Sequence, residues 1–340
     1  MLHVGLIGAR GFGLNHLEAL EASPHVETIA LAGRDPAALE PLRERFAKIR
    51  RVCSSQEELL DDPQVDLVDV VLPHHLHLPV AVAAFESGKH VLVEKPPART
   101  PAEFEQMIDA ARAADRRLFV VMNLLFCPIH RTVRRVVDDG AIGEPFLSLE
   151  VGLPSGLHYY QDPGHWRADR ERCGGGLLID GGFHAVYRQL YFLDRIGAPR
   201  SLTADCAQIG VDAPTKGEDF AALTLAYESG ARIHLMNQWT SRANLGRIPS
   251  GIAGTAGTLR FTGEPARPLA LRRPGVPDED VPVPPGPRNF AEMAKACVRH
   301  YVECLAVDAE PVVGLDLPML TLRIILGAYR AAEEGRRIEL

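Results

Sequence analysis

Along the first 120 or so residues, short β-branched and aliphatic runs alternate with stretches whose apolar positions recur at helical spacing. That alternation predicts a parallel sheet covered on both faces. Six strands are expected, at 2–7, 26–32, 51–53, 66–72, 90–93 and 118–122. Helix starts are legible between them. Ser55 with Glu58 three residues on forms a capping box, and Thr100 with Pro101 supplies an N-cap and a first-turn proline. From Asn123 the texture changes. One helix at 129–139 precedes β-rich stretches at 146–151, 201–209, 220–227 and 231–239, and successive strands of this kind predict a largely antiparallel sheet. Residues 263–287 are rich in proline and are expected to form a surface loop with an edge strand at most. Helices are expected at 289–307 and 317–334, the second closed by Gly335.

Composition narrows the class. A chain of 340 residues allows two or three domains, and 46% hydrophobic with 24% charged residues is the profile of a soluble globular protein. No run approaches the roughly 18 apolar residues of a membrane span. Lys and Arg number 37 against 44 Asp and Glu, a net charge of -7. An acidic surface gains nothing from counterion release, so neither nucleic acid nor membrane is an expected partner. Cys53, Cys127, Cys173, Cys206, Cys297 and Cys304 show no C-x-x-C spacing and are read as reduced thiols. The N-terminal residues run into a strand without a basic leader, so no signal peptide is expected and the location is read as cytoplasmic.

The first strand ends in Gly8-Ala9-Arg10-Gly11-Phe12-Gly13 and leads into a helical stretch, the context of a dinucleotide-binding turn. Gly8 permits the tight turn, Gly13 lets helix and strand pack closely, and the amides at the helix start suit a pyrophosphate. The middle glycine of G-x-G-x-x-G is Arg10 here, with glycine displaced to 11, and a plain strand-to-helix connection would use similar residues. Gly8, Arg10, Gly11, Phe12 and Gly13 are the expected cofactor contacts. At the end of the second strand, Gly33 stands where NAD-binding domains carry an acid for the ribose 2'-hydroxyl, and Arg34 follows it. This favours NADP over NAD, because a repelling carboxylate is absent and a phosphate donor present. Asp35 competes as the hydroxyl partner, but before Pro36 it also reads as an N-cap.

His90-Val91-Leu92-Val93-Glu94-Lys95-Pro96-Pro97 puts a lysine at the carboxyl edge of the sheet. Gly174-Gly175-Gly176-Leu177-Leu178-Ile179-Asp180-Gly181-Gly182-Phe183-His184 follows later in the chain. Together with the glycine turn, this ordered set resembles the Gfo/Idh/MocA oxidoreductases, named for glucose-fructose oxidoreductase and inositol dehydrogenase. Asp139-Gly140-Ala141-Ile142-Gly143-Glu144, Trp166-Arg167 and the tail 328–335 extend the likeness along essentially the whole chain. The resemblance implies an α/β architecture in two domains. An N-terminal Rossmann doubly wound parallel sheet (1–122) precedes a C-terminal α+β domain with a large, mostly antiparallel open sheet (123–312). The last helix (313–340) is expected to return to the first domain.

The resemblance also implies hydride transfer between a nicotinamide and a hydroxyl-bearing carbon of a sugar, cyclitol or polyol. Lys95, Asp180 and His184 match the family's catalytic positions. Carbonyl reduction leaves developing charge on oxygen, so a proton donor near neutral pH and a fixed cation are needed, roles that suit His184 and Lys95. Asp180, four residues before His184, would share its helix face and could orient the ring or bind a hydroxyl. Structural alternatives are a helix cap for Asp180, a core position for His184 and a solvated strand end for Lys95. Pro73, His74 and His77 match the loop beside the nicotinamide, with His74 replacing the usual asparagine. Glu94, Pro96 and Asn123 are also expected on the cofactor side. Zinc binding by His74, His75 and His77 is the competing reading, and no metal is expected.

Two departures reshape the substrate side. Tyr187, followed by Arg188, stands where the family often has a second aspartate, and Leu125-Phe126-Cys127-Pro128 replaces Arg-Phe-x-Pro. His158, Tyr159, Tyr160, His165, Trp166, Arg167 and Tyr187 are candidate walls and donors for a polyhydroxylated substrate. A homodimer or homotetramer through the C-terminal sheet is implied. Two alternatives stay open: a non-catalytic dinucleotide-binding sensor of the same fold, and an enzyme that recycles a tightly held cofactor.

Overall fold

The computed structural model describes residues 1–152, 156, 158–162, 164–210, 216–239 and 250–340. The early strands form one parallel sheet: β1 (Leu2–Ile7), β2 (Val26–Ala32), β3 (Ile49–Val52), β4 (Leu67–Val70), β5 (His90–Val93) and β6 (Leu118–Val120). Their order is β3-β2-β1-β4-β5-β6. Strand order reverses at β1, so a crevice opens at the carboxyl ends of β1 and β4, where ligands bind in sheets of this topology. All four residues of β4 are buried, as expected of a strand covered on both faces. One of them, Asp69, is a carboxylate in the core. Helix caps follow the residues: the Ser55 hydroxyl accepts from the Glu58 amide at 3.2 Å, and Thr100 accepts from Glu103 at 3.1 Å. The return arm of the first box differs, because the Glu58 carboxylate takes the amide of Ser54 instead of Ser55.

The chain divides into two compact units, Met1–Phe126 with Pro287–Asp316, and Cys127–Gly286 with Leu317–Leu340. The segment that rejoins the first unit therefore lies earlier than the expected 313–340. It is the helix Phe290–Ala306, whose Cys297, Val298, Tyr301 and Val302 complete the core around Leu17, Leu20 and Phe119. Lys295 of this helix pairs with Glu18 at 2.6 Å. The helix Asp316–Glu334 instead runs on into a short strand of the second unit's sheet, Ile338 pairing with Leu202 and Glu339 with Ser201.

That second sheet has nine strands: β7 (Pro145–Gly152), β8 (Ser201–Ala207), β9 (Phe220–Ala226), β10 (Arg232–Gln238), β11 (Ser250–Gly254), β12 (Thr258–Glu264), β13 (Arg267–Arg272), β14 (Glu279–Asp280) and β15 (Ile338–Glu339). The order is β14-β13-β12-β11-β7-β10-β9-β8-β15, and among the described residues only β7 and β10 pair in parallel. The proline-rich stretch holds more strand than an edge. β13 lies second from the border, paired from Leu269 to Arg272 with β12. Within β13 only Pro268 is a proline, ahead of that regular pairing, where a missing N–H removes no ladder bond.

One sheet face packs on the helix Leu177–Phe192. Ser148 Oγ donates to Gln189 Oε1 at 2.5 Å, and Gln189 Nε2 donates to the Glu150 carboxylate at 2.6 Å, with Arg188 paired to the same carboxylate. All six cysteines are free thiols, five of them buried. Among the described residues no helix is long and apolar enough to cross a membrane.

Candidate active site

The turn after β1 is built as the glycine spacing requires. Gly8 has φ +100°, and a Cβ there would lie 2.1 Å from the Val71 carbonyl oxygen, so only glycine lets the turn pass this close to the end of β4. A Cβ on Gly13 would lie 2.0 Å from the Gly8 oxygen, which fixes the second close approach. The helix Gly13–Ala22 follows with no side-chain cap at Phe12, and the amides of Gly13, Leu14 and Asn15 bond to the Arg10, Gly11 and Phe12 carbonyls at 3.0, 3.3 and 3.0 Å, so the turn's own backbone closes onto the helix start. Arg10, Gly11 and Phe12 are exposed around it, and an added Cβ at Gly11 would meet nothing within 4 Å. An open, glycine-walled turn at the positive end of a helix fits a dinucleotide pyrophosphate. Gly33 and Arg34 follow β2, with Arg34 exposed. The Asp35 carboxylate accepts from the Ala38 amide at 3.3 Å as an N-cap, with Pro36 at the first position.

Behind the turn is a buried ionic chain that sequence reasoning missed. His16, in the turn's helix, places Nδ1 2.9 Å and 3.1 Å from the two Asp69 carboxylate oxygens and Nε2 3.1 Å from the Glu94 carboxylate. A neutral imidazole carries one N–H, so donating to both carboxylates requires the imidazolium. Burial works against that charge, but Asp69 and then Glu94 outweigh it and hold the His16 pKa up to about 10. The other Glu94 oxygen accepts from the Lys95 amide at 3.0 Å.

Lys95 stands two residues past the end of β5, after Glu94, and is half-buried. The Lys95–Pro96 peptide is cis, and the Pro96 carbonyl lies 2.9 Å from His77 Nδ1. His77 Nε2 lies 2.8 Å from the Leu72 carbonyl. Burial, opposed by these carbonyls, lowers the His77 pKa. Both ring nitrogens face carbonyl oxygens, and the neutral ring, with a single N–H, donates to one of them at a time, an arrangement that suits a packing tie instead of a zinc ligand. His74 is buried with its ring 5.8 Å from that of His77, and Asn123 is buried just beyond β6. Among the described residues no group of three or more His, Cys, Asp or Glu is placed to hold a metal ion.

In the second unit, the triple glycine leads into the helix Leu177–Phe192. A Cβ on Gly176 would lie 2.3 Å from the Glu218 carbonyl oxygen, which explains glycine at the last position of the run. The Glu218 carboxylate accepts from the Leu178 amide at 2.7 Å and from the Tyr329 hydroxyl at 2.9 Å, so this residue caps the helix. Asp180 is left to another task. It is buried, and its carboxylate pairs at 2.5 Å with Arg167 Nε. The Arg167 guanidinium lies 4.2 Å over the Trp166 ring and 4.7 Å over Tyr159, and burial is outweighed by Asp180, which raises its pKa. Tyr159 in turn stacks on His165 at 5.3 Å and touches His158 at 4.0 Å. Trp166, Arg167, Asp180, Tyr159 and His158 are therefore one cluster. Tyr160 is buried, its hydroxyl donating to the Glu218 carbonyl at 3.1 Å, a packing role.

His184, one turn after Asp180, is half-buried, and its Nδ1 lies 3.0 Å from the Tyr187 hydroxyl. Tyr187 is fully buried against Phe183 and stands behind the imidazole, a position from which it supports His184. A hydroxyl both donates and accepts, so this partner serves either tautomer of the ring.

Comparison with known proteins agrees with both units. Residues 2–122 match the family described as "Oxidoreductase family, NAD-binding Rossmann fold", and residues 130–260 match the "GFO/IDH/MocA C-terminal domain". The chain is 28% identical over 346 residues to D-apiose dehydrogenase of Paraburkholderia graminis, covering 98% of this chain and 88% of that one. It is 30% identical over 300 residues to trans-1,2-dihydrobenzene-1,2-diol dehydrogenase of Danio rerio, covering 83% of each. Among solved structures, aldose-aldose oxidoreductase from Caulobacter crescentus, complexed with glycerol, superposes with a TM-score of 0.83 at 27% identity over 100% of this chain and 99% of that one.

Proposed function

Because this chain belongs to the Gfo/Idh/MocA oxidoreductase family, we propose that it transfers hydride between NADP, in preference to NAD, and a hydroxyl- or keto-bearing carbon of a sugar, cyclitol or related polyol. One observation carries the reading: a dinucleotide turn at the end of β1 and a lysine at the end of β5 share the carboxyl edge of one sheet, with only β4 between them. The cofactor is held at Gly8, Arg10, Gly11, Phe12 and Gly13, with Pro73, His74, His77, Glu94, Pro96 and Asn123 on the nicotinamide side. NADP is favoured because Arg34 is exposed beside Gly33 while the Asp35 carboxylate is committed to its cap.

A bound nicotinamide supplies or accepts the hydride. The chain's own residues manage the oxygen and its proton. Lys95 Nζ holds the reacting oxygen and favours its anionic form, a fixed cation placed where charge develops. His184 exchanges the hydroxyl proton through Nε2, while Tyr187 holds Nδ1 in whichever tautomer the step leaves. The Asp180–Arg167 pair, set among Trp166, Tyr159 and His158, presents fixed polar groups to substrate hydroxyls. A homodimer or homotetramer forms through the open sheet face, where Leu149, 39% exposed, lines up with His234, Thr224 and Thr203 across four strands.

The test is titration with NADPH and NADH, then a panel of aldopentoses, aldohexoses, cyclic polyols and a trans-dihydrodiol followed by nicotinamide absorbance. Turnover of a panel member is expected, abolished in Lys95→Ala with dinucleotide binding still measurable. Binding without turnover across the panel would instead identify a sensor, and full activity in Lys95→Ala would remove the role given to the lysine.

A further inference from the structure

The buried pair Asp69–His16 has no place in the chemistry just described, yet through Glu94 it ends on the lysine. Three ionisable side chains, each under a tenth exposed, lie in contact in the core of the first unit. They come from three places: the helix that opens at the glycine turn, the middle of β4, and the residue that follows β5. Burying such a group in a core is costly unless every charge is paired and every proton placed, and a merely structural position is served as well by apolar residues of similar volume. The pairing here is complete. His16 bridges two carboxylates, and Glu94 uses its remaining oxygen on the Lys95 amide.

We propose that His16 is a positioning residue: held by Asp69 from the strand beside the turn, it fixes Glu94, and Glu94 fixes the main chain at Lys95. The relay ties the helix whose N-terminus receives the dinucleotide to the residue that holds the reacting oxygen. His16 touches neither substrate nor cofactor and acts only through Glu94. Its ring is rigid and bonded at both ends, so a shift of the helix is carried to the end of β5. The second anchor, the His77 ring on the Pro96 carbonyl, holds the same segment from the other side. This inference rests on the role given above to Lys95.

The experiment uses the full chain. It contains five lysines, Lys48, Lys89, Lys95, Lys216 and Lys295, so reductive methylation with isotope-labelled methyl groups gives a spectrum in which Lys95 is assigned by its absence in Lys95→Ala. In His16→Gln the Lys95 signal is expected to move while the other four stay. NADPH affinity is expected to change by no more than about twofold, the range of substitutions away from a binding contact. With a substrate found in the panel, kcat is expected to fall about 100-fold, the consequence of an ångström-scale misplacement of a catalytic group.

Glu94→Gln should give the same Lys95 shift and fall in kcat, its NADPH affinity being no part of the test because Glu94 lies on the nicotinamide side, and in kcat the double variant should cost little more than either single one, because the two act as a unit. An unmoved Lys95 signal or an unchanged kcat in His16→Gln, or in Glu94→Gln if the first variant fails to fold, overturns the relay. An inactive Lys95→Ala beside a fully active His16→Gln rejects the relay alone. A fully active Lys95→Ala rejects the role of the lysine and the relay with it.

Discussion

Replacing Gly8 with alanine tests the dinucleotide turn without any knowledge of the substrate. The new Cβ would lie 2.1 Å from the Val71 carbonyl oxygen and 2.9 Å from its carbon. Non-bonded heavy atoms settle at about 3.5 Å, so turn and strand end must part by roughly 1.4 Å. The obstacle is main chain that cannot swing aside, since the Val71 amide is itself bonded to the Ile7 carbonyl at 2.9 Å. Relieving the overlap costs about 1–3 kcal/mol. Holding alanine at φ +100° adds about 1–3 kcal/mol. The sum, about 2–6 kcal/mol, is a large part of the 5–15 kcal/mol by which domains are stable.

Gly11→Ala is the control. Its φ of +57° lies in the left-handed well, and a Cβ there meets nothing within 4 Å, so its cost is about 1–2 kcal/mol. Urea unfolding of both variants should separate them, with Gly8→Ala the less stable. NADPH at 100 times its Kd should raise stability by about 2.7 kcal/mol in wild type, and Gly11→Ala serves only as the control for backbone strain. In Gly8→Ala this gain should be largely lost. A Gly8→Ala midpoint equal to wild type, or an undiminished NADPH gain, would refute the assignment of this turn to the pyrophosphate.

Arg34→Ala should weaken NADPH binding about 10- to 100-fold, the loss of one charge-assisted bond worth about 1.5–3 kcal/mol, and leave NADH binding nearly unchanged. Equal losses for the two dinucleotides would show that Arg34 does not read the 2'-phosphate. Leu149→Asp on the open sheet face should lower the sedimentation coefficient to that of a monomer, and a wild-type coefficient in this variant would exclude the face as the subunit interface.

The first unit was legible because its signals are local. Alternating period, caps at Ser55 and Thr100 and the glycine spacing each act within a few residues, and those strands and helices stand where the pattern places them. The second unit was harder where pairing replaces pattern. β11 is five residues with a glycine at two of them, and its strand character comes from lying between β7 and β12 instead of from its own propensity. Proline density hid β13 in the same way, because what matters is which amides the ladder needs. The returning helix was misplaced because both late helices carry an apolar stripe, and nothing in a stripe names the sheet that it will cover.

At the candidate site, the glycines, Lys95, Asp180 and His184 are legible because they stand in contiguous motifs. Their partners are not. The sequence presents Arg167 only as a substrate contact, yet it is also Asp180's counter-ion, and Glu218, 38 residues beyond Asp180 in sequence, takes the helix cap for which Asp180 is a candidate. The ionic chain behind the turn did leave one trace. A carboxylate inside Leu67-Val68-Asp69-Val70, a strand apolar enough to be covered on both faces, cannot remain there unpaired, so Asp69 by itself requires a cationic partner in the core. Sequence reasoning could have gone that far and no farther. The partner, His16, lies 53 residues from Asp69 and 78 from the second carboxylate, on elements whose adjacency comes only from the order β1-β4-β5. A buried charge therefore announces that a partner exists, the topology decides which one, and here the topology chose the helix of the glycine turn and the residue before the lysine.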